Sequence, residues 1–188
     1  MKLAKPAVAT SALFCLATLM VGLGGIGAAS PPAVAADKPL WKVKGNPTGP
    51  VLGGTDGTPF KDKARGRLAA VTVRSGAWID SIRCSYEDEG TIEKGDLHGG
   101  EGGDEAEVKL EPGETLIGVF GVFRGEGPDR VIGSVGFKTT KRTVEPIGKT
   151  TDGEKFALDA PTGQEICGFQ GRSGDYLSAI GMVCRPWS

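Results

Sequence analysis

The sequence lacks the residues and patterns on which several common classes of protein depend. It has a single histidine and no Cys-x-x-Cys pair, so it contains no zinc ligand set of the usual spacing. Its 22 lysines and arginines are matched by 23 aspartates and glutamates, and without a basic excess a nucleic-acid partner is not expected. Aromatic residues make up only 6% of the chain, and no stretch keeps a helical period. These absences argue against a zinc protein, a nucleic-acid-binding protein and a helical fold, and they leave a β-structure as the expectation.

The first 35 residues have the organisation of an export signal. Lys2 and Lys5 form a positive start, residues 7–29 are free of charge, and Ala33-Val34-Ala35 offers the small-x-small pattern that signal peptidase cleaves. The uncharged run could instead cross a bilayer of roughly 30 Å as an uncleaved anchor. The Pro31-Pro32 break and the cleavage pattern favour removal near Ala35. We therefore expect a secreted protein with no membrane span after cleavage.

Cleavage would leave one domain with a short lead-in. Residues 36–188 hold 20 basic and 23 acidic side chains, a net charge of −3, and their number suits one domain with a sizeable core. Residues 36–50 contain three prolines and little alternation, so we expect an extended lead-in. Within it, Trp41 and Val43 either add an edge strand or belong to a disordered arm. The folded domain is expected to span 51–188.

Short alternating apolar segments separated by turn residues predict an all-β domain. Pro112-Gly113 suits the two central positions of a type II turn, and turn signals recur about every 8 to 12 residues. Strands are predicted around residues 71–73, 82–86, 108–110, 116–123, 131–139, 156–158, 165–170 and 176–184. This pattern favours a sandwich, a barrel or a prism and does not choose among them.

Three of the four cysteines remain after cleavage, which predicts one disulfide and one free thiol in an exported protein. Cys167 and Cys184 lie symmetrically about the turn at 173–175, so hairpin register would place them nearly opposite each other. We prefer this pair. Pairings that use Cys84 stay open, as does the alternative that all three are small buried apolar residues.

Two charged segments could be taken for functional sites. His98 is followed by Glu101 and Asp104 in a glycine-rich stretch, but residues spread over such a loop are more typical of a solvated acidic turn than of a metal site. Residues 61–67 are interpreted as a solvated basic loop. Arg172 is expected to bind loop carbonyls. No metal, cofactor or catalytic residue is predicted.

Five segments contain motifs of one known family and occur in the same order as in that family. The segments are GGTDGTPF (53–60), LAAVTVRSGAWIDSIRCSYE (68–87), HGGEGG with VKLEPGETLIGVFG (98–103 and 108–121), GSVGFKTTKRT (133–143) and GFQGRSGDYLSAIG (168–181). Together they resemble the jacalin-related lectins, and the last segment is similar to the carbohydrate-site hairpin of that family. The resemblance implies a β-prism I of three four-stranded Greek-key sheets around one apolar core. It also implies a glycan-binding protein that is not an enzyme.

The resemblance implies a sugar site between an N-terminal loop and the last hairpin. By this resemblance, Gly57 is the loop glycine, Gly174 is the turn glycine, and Asp175 and Tyr176 are the variable contact residues. Ser178 occupies the position at which the family has its sugar-binding carboxylate. A serine there gives up hydrogen bonds to a charged acceptor, which contribute roughly 1.5 to 3 kcal/mol each. The expected function is glycan recognition through these loops. The alternative is a secreted protein-interaction module that has lost sugar binding, and assembly into a homo-oligomer is left open.

Overall fold

The computed structural model describes residues 48–63, 65–149 and 152–187, which form thirteen β-strands and one 3-10 turn at Gly127–Asp129. These residues belong to one compact unit. The export signal, Trp41 and Val43 lie outside the described residues. Within the described ranges, no helix is long and apolar enough to cross a membrane.

Most strands are short, and six of them form three long hairpins. In chain order the strands are β1 (Leu52–Gly53), β2 (Thr58–Lys61), β3 (Arg67–Ser75), β4 (Ile79–Asp88), β5 (Thr91–Lys94), β6 (His98–Gly99), β7 (Asp104–Lys109), β8 (Leu116–Arg124), β9 (Val131–Thr139), β10 (Thr143–Ile147), β11 (Glu154–Asp159), β12 (Gln164–Ser173) and β13 (Leu177–Pro186). The long hairpins are β3–β4, β8–β9 and β12–β13, all antiparallel.

Each long hairpin is the centre of one group of strands, with a shorter strand on either side. The first group has the order β1-β13-β12-β2, and the second has β4 and β3 at its centre with β7 on one edge and β5 and β6 sharing the other. The third group has the order β10-β9-β8-β11. A single pair, Ile166 with Leu116, joins the first group to the third. The all-β prediction and the three Greek-key groups are therefore confirmed.

One apolar core lies between the three hairpins. Phe137 and Phe169 are its largest fully buried side chains, and their ring centroids are 6.1 Å apart. Complete burial of such a side chain stabilises the fold by about 1.5 to 3 kcal/mol. Because all three hairpins pack on this core, their turns meet at one end of the domain, as the 3.0 Å hydrogen bond from the Thr55 N–H to the Pro128 carbonyl illustrates.

The three cysteines of the domain are buried free thiols. A bulge at Cys167 shifts the register of β12 against β13, so that Ile166 and not Cys167 pairs with Cys184. The Cys167 thiol instead donates to the Val183 carbonyl at 3.3 Å. The predicted Cys167–Cys184 disulfide is thus not formed in the structure. All three are buried and pack as small apolar residues, and this burial raises the pKa of each thiol, that of Cys184 to about 12.

A buried carboxylate closes the opposite end of the domain from the hairpin turns. Gly113 has the positive φ, 71°, that the predicted type II turn requires. Glu114 follows it and accepts hydrogen bonds from the Glu111 N–H at 2.8 Å, the Thr139 hydroxyl at 2.7 Å and the Arg142 Nε at 2.9 Å. Burial by itself would raise the pKa of Glu114, but these donors and the charge of Arg142 lower it to about 2.

We expect Glu114→Gln to lower the free energy of unfolding at pH 7 by about 2 kcal/mol, because charge-assisted hydrogen bonds are lost. The folded pKa of about 2 lies below the ordinary value of 4.5, so this stability is complete above pH 4.5 and is lost as the pH falls toward 2. Urea unfolding of both proteins at pH 7 and pH 3 measures it. The difference should shrink by more than half at pH 3.

The matched control is Glu111→Gln. That carboxylate is exposed and, within the described ranges, forms an ion pair with Lys141 alone, so its loss should change stability by less than about 0.5 kcal/mol. A control as destabilised as Glu114→Gln, or a difference that does not change with pH, would contradict the role of Glu114.

Candidate functional site

The residues predicted around the last hairpin do come together; we call this end of β12–β13, with loop 53–57, site A. Gly57 has a φ of 79°, and a Cβ atom there would overlap the carbonyl of Ser173 and come within 2.8 Å of the Gly174 nitrogen. Only glycine allows this approach. Arg172 donates to the carbonyls of Gly57 at 2.6 Å and Asp56 at 3.4 Å, which confirms its predicted contact with loop carbonyls.

Site A has no carboxylate at its base. Ser178 is buried, and its carbonyl accepts a 2.9 Å hydrogen bond from the Gly54 N–H. Asp175 and Tyr176 are exposed in the turn above it. The described residues provide no hydrogen-bond or ion-pair partner for the Asp175 carboxylate. The framework of the predicted site is therefore present without its strongest acceptor.

The hairpin β3–β4 repeats the framework of site A; we call its turn, with loop 99–103, site B. Arg74 donates to the carbonyls of Gly102 at 2.9 Å and Gly103 at 3.0 Å, as Arg172 does in site A. The sequences also correspond, since RSGAWIDSI at 74–82 aligns with RSGDYLSAI at 172–180.

The equivalent of Ser178 in site B is Asp80. The Gly100 N–H donates to the Asp80 carbonyl at 3.0 Å, in the same way as the Gly54 N–H donates to the Ser178 carbonyl. Both residues follow an apolar residue at the start of the second hairpin strand. Site B therefore has a carboxylate where site A has a hydroxyl.

The carboxylate of Asp80 lies among glycines, and no cationic side chain in the described part of the chain pairs with it. The residue is 8% exposed, and its buried Oδ2 has no hydrogen-bond partner among the described residues. A Cβ atom at Gly102 would lie 2.7 Å from Oδ1, and one at Gly103 would lie 2.6 Å from Oδ2. The nearby Arg74 is occupied by the loop carbonyls and by Glu105 at 3.0 Å. A buried acceptor without a donor costs free energy, and groups of this kind occur at functional sites.

A third copy, site C, lies at the turn of β8–β9, with Gly148 after β10 in the position of the loop glycines. A Cβ atom at Gly148 would lie 2.7 Å from the Gly133 carbonyl oxygen, and Gly99 approaches the Asp80 carbonyl in the same way. Gly133 thus occupies the position of Asp80 and supplies no side chain. Of the three equivalent positions, which hold Asp80, Ser178 and Gly133, one has a carboxylate.

A buried pair of polar side chains holds the loop of site B in place. His98 begins the loop, and its Nε2 lies 2.8 Å from Oδ1 of Asp62. The His98 ring also stacks on Phe60, with centroids 4.0 Å apart, and Oδ2 of Asp62 accepts from the Phe169 N–H at 2.9 Å. These contacts join the loop to the first group of strands.

Two predictions about charged segments were wrong in part. Glu101 and Asp104 are exposed, as expected for a solvated acidic turn, but His98 is largely buried against Asp62. Asp62, which was assigned to a solvated basic loop at 61–67, is itself buried. Each side chain offsets the loss of water for the other by direct contact.

Residues 49–183 match the sequence model of the Jacalin-like lectin domain. The chain belongs to this lectin family. It is 36% identical over 141 residues to Jacalin-related lectin 19 from Arabidopsis thaliana, and the aligned region covers 72% of this chain and 79% of that relative. It is 34% identical over 155 residues to Jacalin-related lectin 3 from the same plant, which covers 78% of this chain but 25% of that longer protein.

The solved structures of jacalin-like lectins include one of a mannose binding jacalin related lectin from Ananas comosus. It is similar to this chain with a TM-score of 0.65 and 27% sequence identity, covering 74% of this chain and 97% of that one. The predicted β-prism of the jacalin-like domain is confirmed.

Sequence reasoning concentrated on the last hairpin of the jacalin-like domain and missed Asp80. The signal that would have found it is the internal repeat, because Arg, Ser, Gly and Ile recur at the same places in 74–82 and 172–180. Aligning the two segments puts Asp80 opposite Ser178. Nothing local to the sequence marks the pairing of His98 with Asp62, since 36 residues separate them.

Proposed function

We propose that the chain is a secreted, non-enzymatic glycan-binding protein and that site B is its main sugar site. The observation that supports this is the carboxylate of Asp80, which lies among loop glycines with no donor among the described residues to satisfy Oδ2. The similar lectin from Ananas comosus is mannose binding, which supports a hexose as the ligand.

Asp80 suits the chemistry of a pyranose. Vicinal sugar hydroxyls are donors spaced to meet the two oxygens of one carboxylate, and bonds to a charged acceptor are the stronger kind. The glycines at 102 and 103 leave room beside both oxygens that any side chain would fill. In site A, Ser178 offers only a hydroxyl, so we expect site A to bind sugar weakly by itself.

We expect Asp80→Asn to weaken sugar binding at least tenfold, because the loss of one hydrogen bond to a charged acceptor has about that effect. Isothermal titration with methyl α-mannoside and methyl α-galactoside measures it, together with a glycan array for the multimerised protein. The matched control is Ser178→Ala, which removes the equivalent side chain of site A and should change affinity less than about twofold.

The proposal fails if Asp80→Asn keeps the affinity of the parent protein. If Ser178→Ala is the damaging change, the main site is site A. If the multimerised parent protein binds no glycan, the secreted interaction module becomes the better account.

We expect Ser178→Asp to create a second sugar site, because site A already has the glycine contacts and the arginine that site B has. The number of sugars bound per chain should rise from one to two in the same titration. A buried carboxylate can also destabilise the fold, so the double variant Asp80→Asn with Ser178→Asp is the second measurement. It should regain one sugar per chain, and a folded double variant that binds none would contradict the equivalence of the sites.

Secretion is proposed on the first 35 residues, whose charged start, uncharged run and Ala33-Val34-Ala35 site are typical of a cleaved export signal. Expression of the full chain in an export-competent host, with mass spectrometry of the protein in the medium or periplasm, tests it. We expect a new N-terminus at Ala36. A cell-retained product that still begins at Met1 would refute cleavage.

A further inference from the structure

Two exposed aromatic rings meet on the surface between sites A and B. Trp78 is 36% exposed and Tyr176 is 38% exposed, and their rings make an edge-to-face contact with centroids 4.9 Å apart. Each ring lies two residues after the turn glycine of its own hairpin, Gly76 or Gly174. Large apolar rings in water lose the benefit of burial, so a fixed exposed pair beside a binding site calls for an explanation.

The two sites are in backbone contact at this point. A Cβ atom at Gly100, in the loop of site B, would lie 2.5 Å from the carbonyl oxygen of Asp175, in the turn of site A. His98 fixes the start of the same loop against Asp62. The turn of site A therefore has a fixed position relative to Asp80 and forms a wall of site B.

The turn of site A has exposed groups suited to contact a sugar, although the base of the site holds Ser178 and not a carboxylate. Asp175 is exposed, and none of the described residues pairs with its carboxylate. Site B has Ala77 at the equivalent position. A hydroxyl-accepting group and an aromatic ring are thus placed beside site B by a hairpin whose own base holds only Ser178.

The charge around the two sites favours an uncharged ligand. The segments 53–57, 74–80, 99–105 and 172–178 contain six carboxylates and two guanidinium groups. Both guanidinium groups, those of Arg74 and Arg172, are bonded to loop carbonyls. A sulfated or carboxylated glycan would meet repulsion here, whereas a neutral one would find acceptors for its hydroxyls.

We propose that sites A and B form one extended site for a neutral oligosaccharide of at least two sugars. The first sugar binds Asp80; the second packs its C–H face on the Trp78–Tyr176 pair, and Asp175 accepts hydrogen bonds from its hydroxyls. This inference rests on the proposed function of site B. It assigns the remaining groups of site A to the same ligand and not to an independent site.

The test compares one sugar with two. Titrations of the mature protein with methyl α-mannoside and with a mannobiose give the two affinities, and the galactose pair is measured in parallel. We expect the disaccharide to bind more tightly. Tyr176→Ala should lower the affinity for the disaccharide about three- to tenfold, because an aromatic contact typically contributes that much, and should change the affinity for the monosaccharide by less than about twofold.

Three variants keep the result interpretable. Tyr176→Phe keeps the ring and should behave as the parent protein. Asp175→Asn should weaken the disaccharide alone. Trp187→Ala removes an exposed aromatic side chain beyond β13, at the end of the domain away from the turns, and should change neither affinity.

The outcomes separate this inference from the one on which it rests. If binding depends on Asp80 but the disaccharide gains nothing, or Tyr176→Ala weakens both ligands equally, the extended site is wrong and site B stands. If a sialylated disaccharide binds as well as the neutral one, the inference of a neutral ligand is wrong. If Asp80→Asn has no effect on either ligand, both proposals fall.

Discussion

The convergence of three long hairpins on one apolar core is the constraint on which the other features depend. Because the hairpins share the core, their turns meet at one end, and each glycine loop there lies against the turn of another hairpin. Thr55 bonds to Pro128, Gly100 lies against Asp175, and Gly148 lies beside Ile79. A Cβ atom at Gly54 or Gly100 would overlap a carbonyl oxygen of the neighbouring turn, so glycine at these two positions follows from the packing of the hairpins on the core.

The three equivalent turns share a backbone but not a chemistry. A buried carboxylate without a donor opposes folding, and Ser178 and Gly133 avoid this cost at two of the three positions. Asp80 keeps it at the third. A buried polar atom without a partner calls for an explanation, and a ligand that supplies the missing donor is one. The difference among the three positions is therefore the observation on which the proposal for site B depends.

Local sequence patterns predict eight of the thirteen described strands, and they miss the short strands β1, β2, β5, β6 and β10. Alternation predicts these eight strands, and Pro112-Gly113 predicts a turn with a positive φ, which Gly113 has. Features that depend on distant partners could not be read locally. The bulge at Cys167 displaces a disulfide that symmetric spacing favoured, and the buried Asp62 has its partners, His98 and the Phe169 N–H, far away in the sequence.

The proximity of sites A and B suggests how a domain with a carboxylate at one of its three equivalent turn positions could reach a useful affinity for a glycan. A single sugar on one carboxylate makes few contacts, and lectins commonly overcome this by presenting several sites. A second contact region within the same chain achieves a related effect, because the first sugar holds the second at high effective concentration. The Trp78–Tyr176 pair is already ordered by its own ring contact, so little side-chain entropy would be lost on binding. In the proposed extended site, the turn of site A adds affinity although its base holds Ser178 and not a carboxylate, because the turn lies against the loop of site B.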